Sequence, residues 1–118
     1  MRERIMAAKP NLPPARALEL TGLVSYAEKG IASRVISRSG GGSVTLFAFD
    51  EGQELSEHAS PFEALVAVIE GTLMLTVGGT RIRAVSGTVV RIPSSVPHSL
   101  ESPQRSKMLL VMLRGQDS

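Results

Sequence analysis

Hydrophobic and polar residues alternate in short runs along most of this chain, a pattern typical of β-strands rather than helices. In Thr72–Val77, for example, Leu73, Leu75 and Val77 fall on one side of an extended chain and the intervening residues fall on the other. Such runs recur about every eight to twelve residues, separated by Gly, Pro, Ser and Asp, as in β-sandwiches and barrels. We therefore predict an all-β fold, with strands at 31–38, 44–49, 64–69, 72–77, 81–85, 88–92, 97–100 and 107–113.

Glycine-rich segments supply the turns that such strands need. Gly78-Gly79 and the run 40–42 allow the positive φ angles of tight hairpins. The segment 18–29 is ambiguous between a helix and other structure, and a short strand near 17–20 is one alternative. Residues 1–16 combine charges with three prolines, which suit neither a helix interior nor a central strand. We expect a flexible or extended arm at 1–16 and a single domain at 17–118.

The composition excludes several classes of function. The formal charge is only +2, and no block of like charges forms an arm for nucleic acid or membranes. The absence of cysteine excludes disulfides, thiolate metal sites and a cysteine nucleophile. The chain has no apolar run long enough to span a membrane and no signal peptide at its start. We expect a cytoplasmic protein that binds neither nucleic acid nor membranes.

The last predicted strand, 107–113, is apolar on both faces. Met108 begins one apolar row and Leu109 begins the opposite one. A strand with this pattern is buried on both sides, as between a barrel interior and a second layer. Two explanations remain open, namely that a second subunit covers the outer face in a homodimer, or that the N-terminal segment of the same chain covers it.

Arginines recur along the predicted strands, and most of them are expected on a solvated face. One arginine that points inward would be able to hold an acidic ligand with two hydrogen bonds, but the sequence does not identify it. The candidates are Arg34, Arg38, Arg81, Arg83 and Arg91. Nucleophilic catalysis is disfavoured, because the chain has no G-x-S-x-G elbow.

The two histidines of the chain lie in similar contexts, each close to a predicted strand. In the segment 52–71, a glycine is followed after five residues by His58, and the segment ends with a second glycine. In the segment 87–102, a glycine is followed after five residues by a proline and then by His98. These segments resemble the first and second motifs of small single-domain cupins of the RmlC-like kind. The resemblance covers roughly residues 43–113 and implies a double-stranded β-helix, or jelly-roll, barrel.

The same resemblance implies a reduced set of metal ligands. Metal-binding cupins hold a divalent ion with three histidines and one glutamate that point into the barrel. His58 and His98 occupy two of these positions, whereas Ser60 replaces the second histidine and Ala64 falls at the glutamate position. Glu63 lies one residue too early, and an offset of one residue turns a strand side chain to the opposite face unless a bulge intervenes.

The second motif also departs from the family pattern, in ways that affect a turn rather than ligands. Ser95 stands where glycine is usual, and Ser102 stands where asparagine is usual.

The sequence thus predicts a small-molecule pocket in the mouth of the barrel. Its candidate lining residues are His58, Ser60, Phe62, Glu63, His98 and Met108. We expect binding of an unidentified small molecule without a strong metal centre, since a tight site needs three or four protein ligands. The alternative is a metal-dependent cupin enzyme of the dioxygenase or isomerase type. It would bind Zn, Fe, Mn, Ni or Cu weakly through His58 and His98, with Glu63 added only if that side chain is reoriented.

Overall fold

The structure is a computed structural model that describes residues 12–114. Within that range the chain forms nine strands in two antiparallel sheets, and together they make a jelly-roll barrel, which confirms the predicted all-β class. The larger sheet has the order β1-β2-β9-β4-β7, and the smaller has the order β3-β8-β5-β6. The strands are β1 (Ile31–Ser39), β2 (Gly42–Phe49), β3 (Glu54–His58), β4 (Glu63–Glu70), β5 (Thr72–Val77), β6 (Thr80–Val85), β7 (Val89–Ile92), β8 (His98–Glu101) and β9 (Ser106–Leu113).

The core lies between the two sheets and follows from the alternation in the sequence. In β5, Leu73 and Leu75 are almost fully buried, while the residues between them are only partly covered. The facing sheet contributes Phe49, Val66 and Met108, which are buried to a similar degree. Each such side chain stabilises the fold by about 2 kcal/mol relative to an exposed position, so this inward row holds the two sheets together.

The chain crosses from the larger sheet to the smaller one at Gly71, the only residue between β4 and β5. Gly71 has a φ of +79°, and a Cβ built there would lie 2.9 Å from Ser106 Cα. The buried hydroxyl of Ser106 occupies this space, accepting a hydrogen bond from Thr72 N at 3.0 Å and donating one to Thr72 O at 2.8 Å. A glycine is therefore required by both the backbone angle and the close approach of the neighbouring strand.

The outer face of the larger sheet is partly covered by the residues that precede β1. Val24 is buried with Leu46 and Ala48 in a second apolar cluster, against which Leu12 and Leu109 also pack. The N-terminal segment is therefore the cover over part of the outer face of β9. This observation matches the second of the two explanations for that strand, and it leaves the homodimer as a prediction.

Two polar contacts fix this cover in place. Lys107 is buried, and its Nζ donates to the carbonyl of Thr21 at 2.6 Å and lies 4.9 Å from the centre of the Tyr26 ring. The Tyr26 hydroxyl donates to Glu70 at 2.5 Å. Desolvation, and next the hydrogen bond to Glu70, raise the pKa of Tyr26. Among residues 12–114, the buried ammonium is thus satisfied by a carbonyl and an aromatic face rather than by a counter-charge.

The structure differs from the predicted strands in two places. The strand β3 was not predicted, because most of its residues are exposed and its apolar alternation is weak. The alternative strand near 17–20 is wrong, since this region leads instead into a short 3-10 helix at Leu20–Leu23. Residues 1–11 of the predicted arm lie outside the described range. In the part of the chain that is described, no helix is long and apolar enough to cross a membrane.

Candidate functional site

A cavity opens at one end of the barrel between the two sheets, and we call it the His pocket. The centres of water molecules can occupy about 80 Å³ of this cavity. This space is several times what one water molecule requires. Most of its surface is apolar. It is lined by Leu55, His58, Ser60, Phe62, Ala64, Val66, Ile92, His98, Ser99, Leu100, Met108, Leu110 and Met112.

The two histidines meet in this pocket because their strands are hydrogen-bonded neighbours. His58 of β3 lies directly opposite His98 of β8 in the strand register. Their ring centres are 4.4 Å apart, and the ring planes are inclined at 62°, in an edge-to-face arrangement. His58 is exposed at the rim, and His98 is half-buried. His58 and His98 are thus in van der Waals contact, although they are forty residues apart in the sequence.

A β-bulge gives His58 its inward direction. Leu55 pairs with Leu100, but two residues of β3 then oppose one residue of β8 before His58 pairs with His98. In a regular strand His58 would face away from Leu55, because side chains alternate with a period of two. The extra residue restores the inward face, so both Leu55 and His58 line the cavity.

Backbone carbonyls set the same tautomer in both histidines. His58 Nδ1 lies 3.0 Å from the carbonyl oxygen of Ser56, and His98 Nδ1 lies 2.9 Å from that of Val96. A carbonyl oxygen only accepts hydrogen bonds, so each Nδ1 must carry a proton. In the neutral rings each Nε2 therefore keeps its lone pair, available to a hydrogen-bond donor or a metal ion.

The two positions that depart from the family's ligand set also face the cavity. Ser60 and Ala64 both line the His pocket, and Ala64 is buried. The Ser60 hydroxyl accepts a hydrogen bond from Phe62 N at 3.1 Å, and the Ser60 carbonyl accepts one from Ser95 N at 2.6 Å. The serine is therefore fixed in a turn, and its hydroxyl proton and second lone pair remain available to a ligand.

Glu63 is the one candidate that the structure places elsewhere. It is absent from the lining of the His pocket, whereas its neighbour Ala64 is part of it. The Glu63 carboxylate instead pairs with the guanidinium of Arg91 on the adjacent strand β7. The reason is the period of the strand, because no bulge precedes Ala64 in β4 to reverse the two faces. Phe62 and Met108, by contrast, both line the cavity.

The residues of the pocket do not form a complete metal site. Two imidazoles, a hydroxyl and a methyl group stand where the family uses three imidazoles and a carboxylate. Among residues 12–114, no three His, Cys, Asp or Glu side chains cluster closely enough to hold an ion together. A tight divalent site normally needs three or four protein ligands, so this set does not fit one.

Most of the lining that sequence reasoning missed is apolar. Leu55, Ile92, Leu100, Leu110 and Met112 complete the wall of the cavity. Each is a plain apolar residue of a strand, and its position near the mouth depends on sheet order and register. No local signal separates such a residue from the rest of the core.

Comparison with known proteins gives a consistent result. The protein-family model of the cupin domain matches residues 45–113 of the sequence. A conserved protein of unknown function from Streptococcus pyogenes is 29% identical, with 91% of this chain and 94% of that chain covered at a TM-score of 0.84. A cupin superfamily protein from Desulfitobacterium hafniense is 28% identical, with 89% and 96% covered at a TM-score of 0.83. No curated protein matches.

A further solved structure shows how the domain is used within a longer chain. A cupin 2 conserved barrel domain protein from Leptotrichia buccalis is 28% identical, and the alignment covers 82% of this chain but 47% of that one, at a TM-score of 0.79. The family model spans more than half of the sequence, and both motif histidines lie inside the matched range. The protein therefore belongs to the cupin family.

Proposed function

We propose that this protein binds a small, largely apolar molecule in the His pocket and holds it without a resident metal ion. The observation that carries the proposal is the pair of adjacent imidazoles whose Nδ1 atoms are engaged by backbone carbonyls. Both histidines line an apolar cavity and each keeps an acceptor at Nε2, and such a site would select ligands that carry a hydroxyl or N–H group on an apolar body.

The apolar part of the site supports the same interpretation. Phe62, Met108 and Met112 line the wall. Methionine side chains adapt to ligands of different shape, and burial of an apolar group contributes about 25 cal/mol per Å². The binding free energy would thus come mainly from the wall, while the imidazoles would orient the ligand.

Phenol and toluene test this proposal, because they differ by one hydroxyl group. We expect phenol to bind more tightly and, because it carries one hydroxyl proton, to shift the Nε2 resonance of the imidazole that accepts this proton in ¹⁵N NMR spectra. Replacing that histidine by alanine should weaken phenol binding about tenfold, the value of one hydrogen bond of about 1.4 kcal/mol. The Glu63→Gln variant is the matched control, since that carboxylate faces Arg91. Equal phenol affinity in wild type, His58→Ala and His98→Ala would contradict the proposal.

The metal-dependent enzyme is the second function to be tested. Protein purified without chelator or nickel resin, then exposed to Zn, Fe, Mn, Ni or Cu and desalted, should retain much less than one ion per chain. The physical reason is that two imidazoles and a hydroxyl leave the ion exposed to competing water. Retention of one ion per chain that is lost in His58→Ala would favour the enzyme instead.

A further inference from the structure

A second recess lies beside the His pocket at the same end of the barrel, and we call it the arginine vestibule. The centres of water molecules can occupy about 170 Å³ of this recess. Phe62 and Met112 line both cavities, so the vestibule continues the His pocket outward. Its other lining residues are Arg38, Ser39, Gly42, Ser43 and Arg114. The vestibule is therefore cationic and rich in hydroxyl groups where the His pocket is apolar.

The register of the larger sheet directs Arg38 to the interior face. Arg38 pairs with Ser43, Ser43 with Met112, and Met112 with Ala64. Paired residues share one face of a sheet, and Ala64 and Met112 both line the His pocket. A bulge between Val35 and Ser37 makes this possible, because in a regular strand Arg38 would face outward.

Arg114 closes the vestibule from the other side. Its guanidinium lies 5.0 Å from the centre of the Phe62 ring, and its backbone N donates to the carbonyl of Gly41 at 2.9 Å. Within residues 12–114, the ion pairs join Arg81 to Glu101, Arg91 to Glu63 and Arg105 to Asp50. No acidic side chain of this range neutralises the two vestibule arginines.

We propose that the His pocket and the arginine vestibule hold one ligand, a small amphipathic organic anion; this inference rests on the proposed function. Its carboxylate or phosphate group would be bound by the guanidiniums of Arg38 and Arg114, which match oxyanion geometry, and by the adjacent serine hydroxyls. Its apolar body would pass Phe62 and Met112 toward the histidines. Arg38 and Ala64 lie three strands apart, roughly 14 Å between Cα atoms, so the ligand is elongated.

Three probes with one common body test the inference, namely 4-phenylbutyrate, 4-phenylbutyl phosphate and 4-phenylbutanol. We expect at least one of the anions to bind wild-type protein about tenfold or more tightly than the alcohol, because hydrogen bonds to charged groups exceed 1.4 kcal/mol. Arg38→Gln and Arg114→Gln should each remove most of this preference and leave alcohol binding unchanged. Arg83→Gln, at an exposed position on β6, is the control and should bind all three probes as wild type does.

The outcomes separate the two proposals. The tighter-binding anion identifies whether a carboxylate or a phosphate is recognised. Equal affinity for the alcohol and both anions, with binding still weakened by His58→Ala, would overturn the anionic ligand and retain the His pocket. Binding of none of the probes would overturn the inference as well, and the phenol titration would then decide the His pocket independently. Circular dichroism of each variant checks that the fold is retained.

Discussion

Ser95 adopts a φ of +66°, in the left-handed region where a side chain with a Cβ is strained. It occupies the turn before β8, and its N–H donates to Ser60 O, so this conformation supports the rim of the His pocket. Glycine is usual at this position of the second motif, which makes the strain a specific property of this sequence. The serine therefore lowers the free energy of unfolding relative to a glycine at this position.

Replacing Ser95 by glycine should stabilise the protein. Relief of the left-handed strain contributes about 1–2 kcal/mol, and the greater flexibility of glycine in the unfolded chain cancels about 0.4–1 kcal/mol of this. We expect a net increase of about 0.5–1 kcal/mol in the free energy of unfolding, measured by urea denaturation. Ser94→Gly is the matched control, because Ser94 has an ordinary φ and should lose stability. A loss of stability in Ser95→Gly would show that this strain is absent.

At the scale of the strands, the Asp50 carboxylate links three segments of the larger sheet by hydrogen bonds. Its carboxylate accepts hydrogen bonds from Lys29 N at 2.6 Å, from Glu51 N at 2.9 Å and from Arg105 Nε at 2.9 Å. Lys29 precedes β1, Asp50 follows β2, and Arg105 precedes β9. The hydrogen bond from Arg105, and next the two backbone N–H groups, lower the pKa of Asp50 to about 2.

This low pKa gives stability a defined dependence on pH. The unfolded aspartate has a pKa of about 3.9, so the stabilisation is present above that value and is lost as pH falls toward 2. Asp50→Asn should lower the free energy of unfolding at pH 7, and its deficit relative to wild type should shrink between pH 4 and about pH 2. Urea denaturation across this range measures the difference.

The neighbouring Glu51→Gln variant serves as the control for that experiment, since Glu51 is exposed. It should keep the pH dependence of the wild type between pH 4 and about pH 2. A constant deficit of Asp50→Asn at every pH would instead assign the effect to packing rather than to charge.

At the scale of the whole molecule, the homodimer predicted from the sequence remains a proposal. The N-terminal segment covers part of the outer face of the larger sheet, but Val89 and Leu113 remain 62% and 40% exposed. These two side chains are the proposed subunit contact. We expect light scattering after size exclusion to give twice the mass of one chain. Val89→Asp should shift the protein toward the monomer, whereas Thr80→Asp, in the exposed β5–β6 hairpin, should not. A monomer mass for the wild type would contradict this proposal.

The sequence alone predicted most of the barrel, because strand alternation and glycine turns are local properties. Eight short β-type runs between turn residues, together with the motif spacing around His58 and His98, were enough for an all-β jelly roll. The reduced ligand set was also predicted from the sequence, because the residue spacing after His58 places Ser60 and Ala64 at two of the family's ligand positions.

The tertiary structure decided which side chains share the pocket. A bulge changes the face of every residue beyond it. The bulges in β1 and β3 turn Arg38 and His58 inward, and no local sequence pattern predicts either bulge. Where β4 runs without a bulge before Ala64, Glu63 stays outside with Arg91. The sequence thus determined the barrel and its two histidines, whereas register between distant strands determined the contact between the histidines, the cavity wall and the arginine vestibule, because those features require partners that only folding brings together.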